Sequence, residues 1–189
     1  MQPMPDLATL SLGDIARLVQ ERRLPPVEQW NPEHCGTSEM RIAADGTWYH
    51  QGSPIGRMEM VRLFSSILRR EEDGSHVLVT PVEKLSIEVD DAPFVAVEMT
   101  SEGRGQERRL AFRLNTGDLV VADDEHRLQI RGTPDEPRPY LHVRGGMDAL
   151  VTRPLFYELA HMAMHEQEAA EGRIGLWSCG EFFSLEPGK

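Results

Sequence analysis

The sequence predicts an α+β fold of two related hairpin–helix–strand halves, mostly antiparallel in their sheets, with an extra helix at the N-terminus. Three observations carry this reading. Apolar residues recur at helical spacing in three stretches and with a period near two through most of the rest. Turn sequences such as Ala44-Asp45-Gly46 and Asn115-Thr116-Gly117-Asp118 separate short β-rich runs, as hairpins require. The order of motifs in the first half also returns near the end of the chain. The expected divisions are a helical extension over 1–27, an N-terminal half over 28–131 and a C-terminal half over 132–189.

Ser11 with Asp14 resembles a capping arrangement, and Leu12, Ile15, Leu18 and Val19 follow at helical spacing. Pro25-Pro26 stops that helix, since proline lacks the N–H a helix needs. Met40 and Ile42 before the Asp45-Gly46 turn, with Trp48 and Tyr49 after it, predict a hairpin over 39–50. Residues 57–71 read as a second helix with Met60, Val61, Phe64, Ile67 and Leu68 on one face, ended at Asp73-Gly74. Strands follow at 77–80, 85–89, 94–99, 110–114, 119–121 and 128–131, with a flexible turn over 101–106. Three prolines over 132–139 suggest a linker. A strand at 140–143 turns at Gly145-Gly146 into Ala149-Leu150-Val151. Pro154 then opens a third helix to about Ala170, closed by Gly172, and two last strands cover 174–177 and 182–185.

The expected repeat aligns residues 39–90 with 140–186. Ile55-Gly56-Arg57 answers Val151-Thr152-Arg153, and Leu63-Phe64 answers Leu155-Phe156. Nine residues separate Gly74 from Glu83, and nine separate Gly172 from Glu181. Each such unit has open sheet edges, so the two are expected to pack together and leave a groove between them.

Composition narrows the function. With 20 basic against 31 acidic residues the chain carries −11, and no window is basic enough to overcome it, so nucleic acid is not an expected partner. No stretch of about 18 apolar residues exists, so no membrane span is expected. The start, Met1 to Asp6, has no basic end followed by an apolar run, so no secretion signal is expected. Cys35 and Cys179 stand outside any CxxC pair and read as free thiols in a reducing compartment, which makes the cytoplasm the expected location.

Long ordered strings then carry a resemblance. Asp45-Gly46-Thr47-Trp48-Tyr49, Gly52-Ser53-Pro54-Ile55-Gly56-Arg57 and Leu63-Phe64-Ser65 come first. Glu72-Asp73-Gly74, Leu78 to Lys84 and Val89-Asp90-Asp91-Ala92-Pro93-Phe94 complete them. Across about residues 28–186 the chain resembles the DUF1285 family, bacterial proteins of unknown function. The resemblance implies a two-part α+β fold with repeated motifs and a suspected role in ligand binding or signalling. It supplies no catalytic residue.

The candidate site residues are Arg57, Arg153, Glu83, Glu181 and Trp48. Both arginines stand where a helix begins, against the helix dipole, so something else must hold them. One reading pairs them with Glu83 and Glu181. The other makes them an anion site, a guanidinium beside helix N–H groups suiting a carboxylate or phosphate. Thr80 with Glu83 and Ser178 with Glu181 read instead as general acid–base pairs only if the two carboxylates meet. Trp48 and Tyr49 are strand neighbours facing opposite sides, so one of them is expected outside its local core. His161 and His165 share a helix face at a spacing that can hold a metal, with Glu158 and Glu168 near, but no Glu stands where a zincin needs it. His34 and Cys35, adjacent in an extended segment, point apart and make a poor nucleophile pair. The sequence identifies no cofactor. Its first functional reading is a non-enzymatic, signalling-related module that binds a small molecule or a protein in the groove between its halves, a small anion being the ligand the arginines would suit. A homodimer built on an exposed strand edge and a Glu- or His-dependent hydrolase are the alternatives.

Overall fold

The computed structural model describes residues 10–166, 169–170 and 172–188. Helix α1, Leu12–Glu21, opens on the expected cap: the Asp14 amide donates to the Ser11 hydroxyl at 3.2 Å, and the Ser11 amide donates to the Asp14 carboxylate at 3.3 Å. Aspartate thus serves where glutamate is usual. Ile15 seats the helix on Ala111.

A first six-stranded sheet holds β1 (His34–Ile42), β2 (Trp48–His50), β3 (Ser53–Pro54), β4 (Leu68–Arg70), β5 (His76–Val79) and β6 (Glu83–Val89). Helix α2 (Met58–Ser66) lies between β3 and β4 in sequence. A second holds β7 (Phe94–Glu102), β8 (Arg109–Leu114), β9 (Leu119–Val121), β10 (Leu128–Gly132), β11 (Pro137–Arg144) and β12 (Met147–Val151). Helix α3 (Arg153–Glu166) follows. A small sheet then runs β13 (Ala169–Ala170), β14 (Arg173–Ser178) and β15 (Glu181–Ser184).

The two large sheets share one topology. The first is ordered β3-β2-β1-β6-β5-β4 and the second β9-β8-β7-β12-β11-β10. In each, the first and last strands of the unit pair in parallel, β1 with β6 and β7 with β12. Every other pairing among the described residues is antiparallel. The architecture is thus mixed sheet with few helices, α+β in outline.

Several expectations are corrected. The order hairpin, helix, three strands does recur as β11, β12, α3, β13, β14 and β15, but its pairing does not: β12 bonds to β7, not to the strands after α3. The unit that recurs in hydrogen bonding is six strands long, over 34–89 and again over 94–151, so β7 to β10 belong with β11 and β12. Residues 132–139 are no linker. They turn β10 into β11, and Pro137 and Pro139 pair only with Gly132 and Ile130, before β12 joins at Tyr140. Proline is tolerated on such an edge stretch, where its nitrogen can face away from the single partner strand. Helix α2 ends at Ser66 rather than 71. Leu68–Arg70 pair with β5, and the Arg69 guanidinium, 8% exposed, donates to the carbonyls of Val27 and Trp30 and to Glu71. Gly74, at φ 89°, turns that hairpin instead of closing a helix. Helix α3 ends at Glu166, short of the expected Ala170.

One hydrophobic core spans both sheets. Trp48, Ile42 and Leu68 from the first join Phe94, Phe112 and Leu141 from the second, with Leu155, Leu159 and Ala163 of α3 and Phe183 of β15. Burying each large apolar side chain contributes about 1.5–3 kcal/mol. The chain passes between sheets through the short link Asp90 to Pro93, which brings the β4–β5 turn up against β10, β11 and β12.

Candidate functional site

That junction is concave. A groove of about 710 Å³ runs between the sheets, walled by Arg70, Gly74 and His76 on one side and by β10, β11 and the β11–β12 turn on the other, with the link at its base. The volume falls within the roughly 300–1,000 Å³ of small-molecule sites.

The second-sheet wall is an ordered polar network. Arg138, Tyr140 and His142 alternate along β11 and so share one face. The Tyr140 hydroxyl donates to Asp91 at 2.8 Å and Arg138 donates to the other oxygen of Asp91 at 2.7 Å. Arg131 donates to Asp148 at 2.5 Å, and the His142 Nδ1 lies 3.0 Å from the second Asp148 oxygen. The Arg131 guanidinium also lies over the Tyr140 ring, 4.5 Å from its centroid. Arg127 is paired with Glu181 at 3.2 Å. Burial, then the bond to Asp91, pushes the Tyr140 hydroxyl above its ordinary pKa. The Asp91 charge holds Arg138 above its own.

The first-sheet wall differs. Arg70 and His76 face each other across the β4–β5 hairpin. Among the described residues Arg70 has no carboxylate partner. Its guanidinium lies between two glycines in the left-handed region, where added Cβ atoms would stand 3.3 Å from Nη2 at Gly74 and 3.4 Å from Nη1 at Gly146. The His76 Nε2 is buried and finds no hydrogen-bond partner among the described residues. Burial, and secondarily the Arg70 charge, lowers the pKa of this imidazole. Among the described residues the groove therefore presents one cation without a carboxylate partner, with an unsatisfied ring nitrogen buried in the wall beside it and a set of paired charges opposite.

The residues singled out in the sequence lie elsewhere. Arg57 is the N-cap residue of α2 and Arg153 the first residue of α3, so both do stand at helix starts, and both are exposed. Neither lines the groove. Among the described residues no ion pair joins Arg57 to Glu83 or Arg153 to Glu181. Glu83 opens β6 opposite His34, and Glu181 is held by Arg127. Trp48 is 1% exposed and stacks on Phe64 at 6.5 Å inside the core, while Tyr49 is the outward neighbour, under the Arg41 guanidinium. Ser178 is buried: its hydroxyl donates to the Ala122 carbonyl at 2.6 Å and accepts from the Leu110 amide at 2.9 Å, tying β14 to β8. His161 and His165 stack on the exposed face of α3, 6.2 Å apart. Among the described residues no three His, Cys, Asp or Glu side chains gather as metal ligands, and Glu168 lies outside them. Cys35 and Cys179 are free and exposed.

Sequence reasoning missed Arg70, His76, Asp91, Arg131, Tyr140, His142 and Asp148. The alternation Arg138, Tyr140, His142 is a readable signal once β11 is seen to begin at Pro137. Arg70 carries none, because it falls where the helical pattern was extended too far.

Two family models match, the N-terminal domain of DUF1285 over residues 25–92 and its C-terminal domain over 93–185, both described as of unknown function. The boundary between them falls inside the link, between Ala92 and Pro93. A crystal structure of a DUF1285 family protein from Silicibacter pomeroyi is 47% identical, with a TM-score of 0.80 over 94% of this chain and 95% of that one. A second, from Shewanella baltica, is 26% identical, with a TM-score of 0.51 over 65% of this chain and 90% of that one. No functionally curated protein matches. With both domain models matched end to end across the link, and nearly half of its residues shared with the Silicibacter pomeroyi protein, the chain belongs to the DUF1285 family.

Proposed function

We propose that the protein is a non-enzymatic binding module whose ligand is a small organic anion held in the groove between the two sheets. The observation that carries this is the pairing of Arg70, without a carboxylate partner among the described residues, with the buried and unsatisfied Nε2 of His76. An unpaired buried donor or acceptor costs about 1–3 kcal/mol. A ligand with an anionic group for the guanidinium and a hydrogen-bonding atom for the imidazole removes that cost on binding. The glycines at 74 and 146 keep the approach to Arg70 open. The ordered second wall supplies shape and fixed dipoles rather than net charge.

A thermal-shift screen against organic acids, nucleotides and metals tests the reading. Any compound bound at one hundred times its Kd stabilises the fold by about 2.7 kcal/mol. The expected result is stabilisation by an organic acid that disappears in Arg70→Ala. If every stabilising acid still stabilises Arg70→Ala, the assignment to this groove is rejected.

A further inference from the structure

A second groove, distinct from the one above, lies beneath α1. It encloses about 410 Å³ against β9 and the end of β11. Its walls are mainly apolar, formed by Leu18, Leu24, Leu119, Val120 and Val143. Leu18 and Leu24 are each 37% exposed, although both stand on this wall. Solvent-facing leucines along a concavity mark a surface suited to an apolar occupant.

The polar part of the groove is cationic. Arg22 and Arg144 line it, with Asp118 as the acid. Arg22 is ion-paired with Asp118, whose other oxygen accepts from the Thr116 hydroxyl at 2.8 Å. Arg144 donates to the Ser65 carbonyl at 2.7 Å and lies over the Phe94 ring at 5.0 Å. Those contacts fix its guanidinium without neutralising it. Burial lowers the Arg144 pKa to about 10. Burial also lowers that of Arg22, and the charges of Arg144 and Arg62 lower it further, so like charges repel one another around the one Asp118 carboxylate of the groove. An added negative charge relieves that repulsion.

We propose that this groove is a binding site for an amphiphilic carboxylate, a medium-length acyl chain ending in one acid group. The tail lies along Leu18, Leu24 and Val120, and the carboxylate sits beside Arg22 and Arg144. An apolar pocket with a few convergent polar groups is the usual form of such a site, and guanidinium suits carboxylate.

Isothermal titration of the full chain with decanoate, and with 1-decanol as the uncharged counterpart, tests this. The expected result is saturable one-to-one binding of decanoate, at least tenfold tighter than that of 1-decanol. Arg22→Gln is expected to weaken decanoate about tenfold and to leave 1-decanol unchanged. Leu24→Ser, at an exposed position, weakens both and serves if Arg22→Gln disturbs the fold. Arg70→Ala, in the other groove, leaves decanoate binding intact. Equal binding of acid and alcohol, an unaltered Arg22→Gln, or loss of decanoate binding in Arg70→Ala would each overturn the assignment. Because the two grooves share no lining residue, failure here leaves the anion reading of the inter-sheet groove standing.

Discussion

Asp91 holds the link between the sheets, and its replacement by alanine tests whether the inter-sheet groove is built or incidental. The carboxylate is 21% exposed and accepts two hydrogen bonds, from the Arg138 guanidinium and the Tyr140 hydroxyl. The two partners respond differently when it is removed. The Arg138 side chain is 46% exposed, so water replaces the lost contact and the cost is about 0–1 kcal/mol. Tyr140 is 6% exposed, and its hydroxyl loses its partner at the groove wall, where water replaces the bond only in part, at about 1–2 kcal/mol. The sum is about 1–3 kcal/mol. For a chain of this size each kcal/mol shifts the thermal midpoint by roughly 2–4 °C, so Asp91→Ala should melt some 2–12 °C below the wild type in calorimetry. Tyr140→Phe removes the donor instead, and the double variant should show a coupling of about 0.5–1.5 kcal/mol. An Asp91→Ala midpoint within about 1 °C of the wild type, or strictly additive single effects, refutes the view that this network fixes the junction.

Other perturbations separate binding from folding. Arg70→Ala removes an exposed side chain with no acid partner among the described residues, so urea unfolding should change by less than about 0.5 kcal/mol. The same variant should bind an anion held in the inter-sheet groove at least tenfold more weakly, since a charged hydrogen bond contributes about 1.5–3 kcal/mol. His76 gives a pH signature. Its folded pKa lies below its unfolded value, so its contribution is present in full above the unfolded value of about 6.5 and is lost as pH falls through the folded pKa. Melting midpoints between pH 7 and pH 5 should therefore fall more steeply for the wild type than for His76→Gln, and parallel curves would deny the imbalance. Leu159→Ala, at a fully buried position of α3, should cost about 2–5 kcal/mol in chemical unfolding and confirm that α3 closes the common core.

Much of the strand content was legible, because turn chemistry and period-two patterning act locally. The Asp45-Gly46 hairpin, the Asn115 to Asp118 turn and the capped start of α1 stand where residue chemistry puts them. What was not legible is non-local. Nothing in the residues near Leu68 says that they leave α2 to pair with β5, since Met60, Phe64, Ile67 and Leu68 keep a helical spacing in either state. The parallel pairs β1–β6 and β7–β12 join segments about fifty residues apart, and their register leaves no short-range mark. The true repeat was hidden for that reason: it is a repeat of pairing, with α2 inside one unit and α3 after the other. A groove was expected between halves divided at 131/132, whereas the groove of the structure lies between sheets divided at the link 90–93. Arg57 and Arg153 match only as positions of the apparent internal repeat, whereas Arg70, His76 and Asp91 line one groove because the link folds the first sheet's β4–β5 turn against β11.

The charge arrangement limits what the inter-sheet groove can hold. The whole chain carries −11, yet beyond roughly 8 Å surface charges are screened at physiological salt, so a ligand inside the groove responds to its lining. That lining contains Arg70, Arg127 and Arg131 against Asp91, Glu125 and Asp148. The formal charges cancel, and Arg127 and Arg131 are already held by Glu181 and Asp148. A triphosphate would bring three or more charges to a site with one uncommitted guanidinium, and would have to displace existing ion pairs to satisfy them. A ligand with one carboxylate leaves every pair intact and meets Arg70, and a nearby hydrogen-bonding atom would satisfy the His76 Nε2 once the imidazole turns toward it. On the proposed reading, monoanionic or zwitterionic acids should therefore outrank polyphosphates in the screen. The reverse order would mean that the second-sheet ion pairs open on binding and that the groove is rebuilt by its ligand.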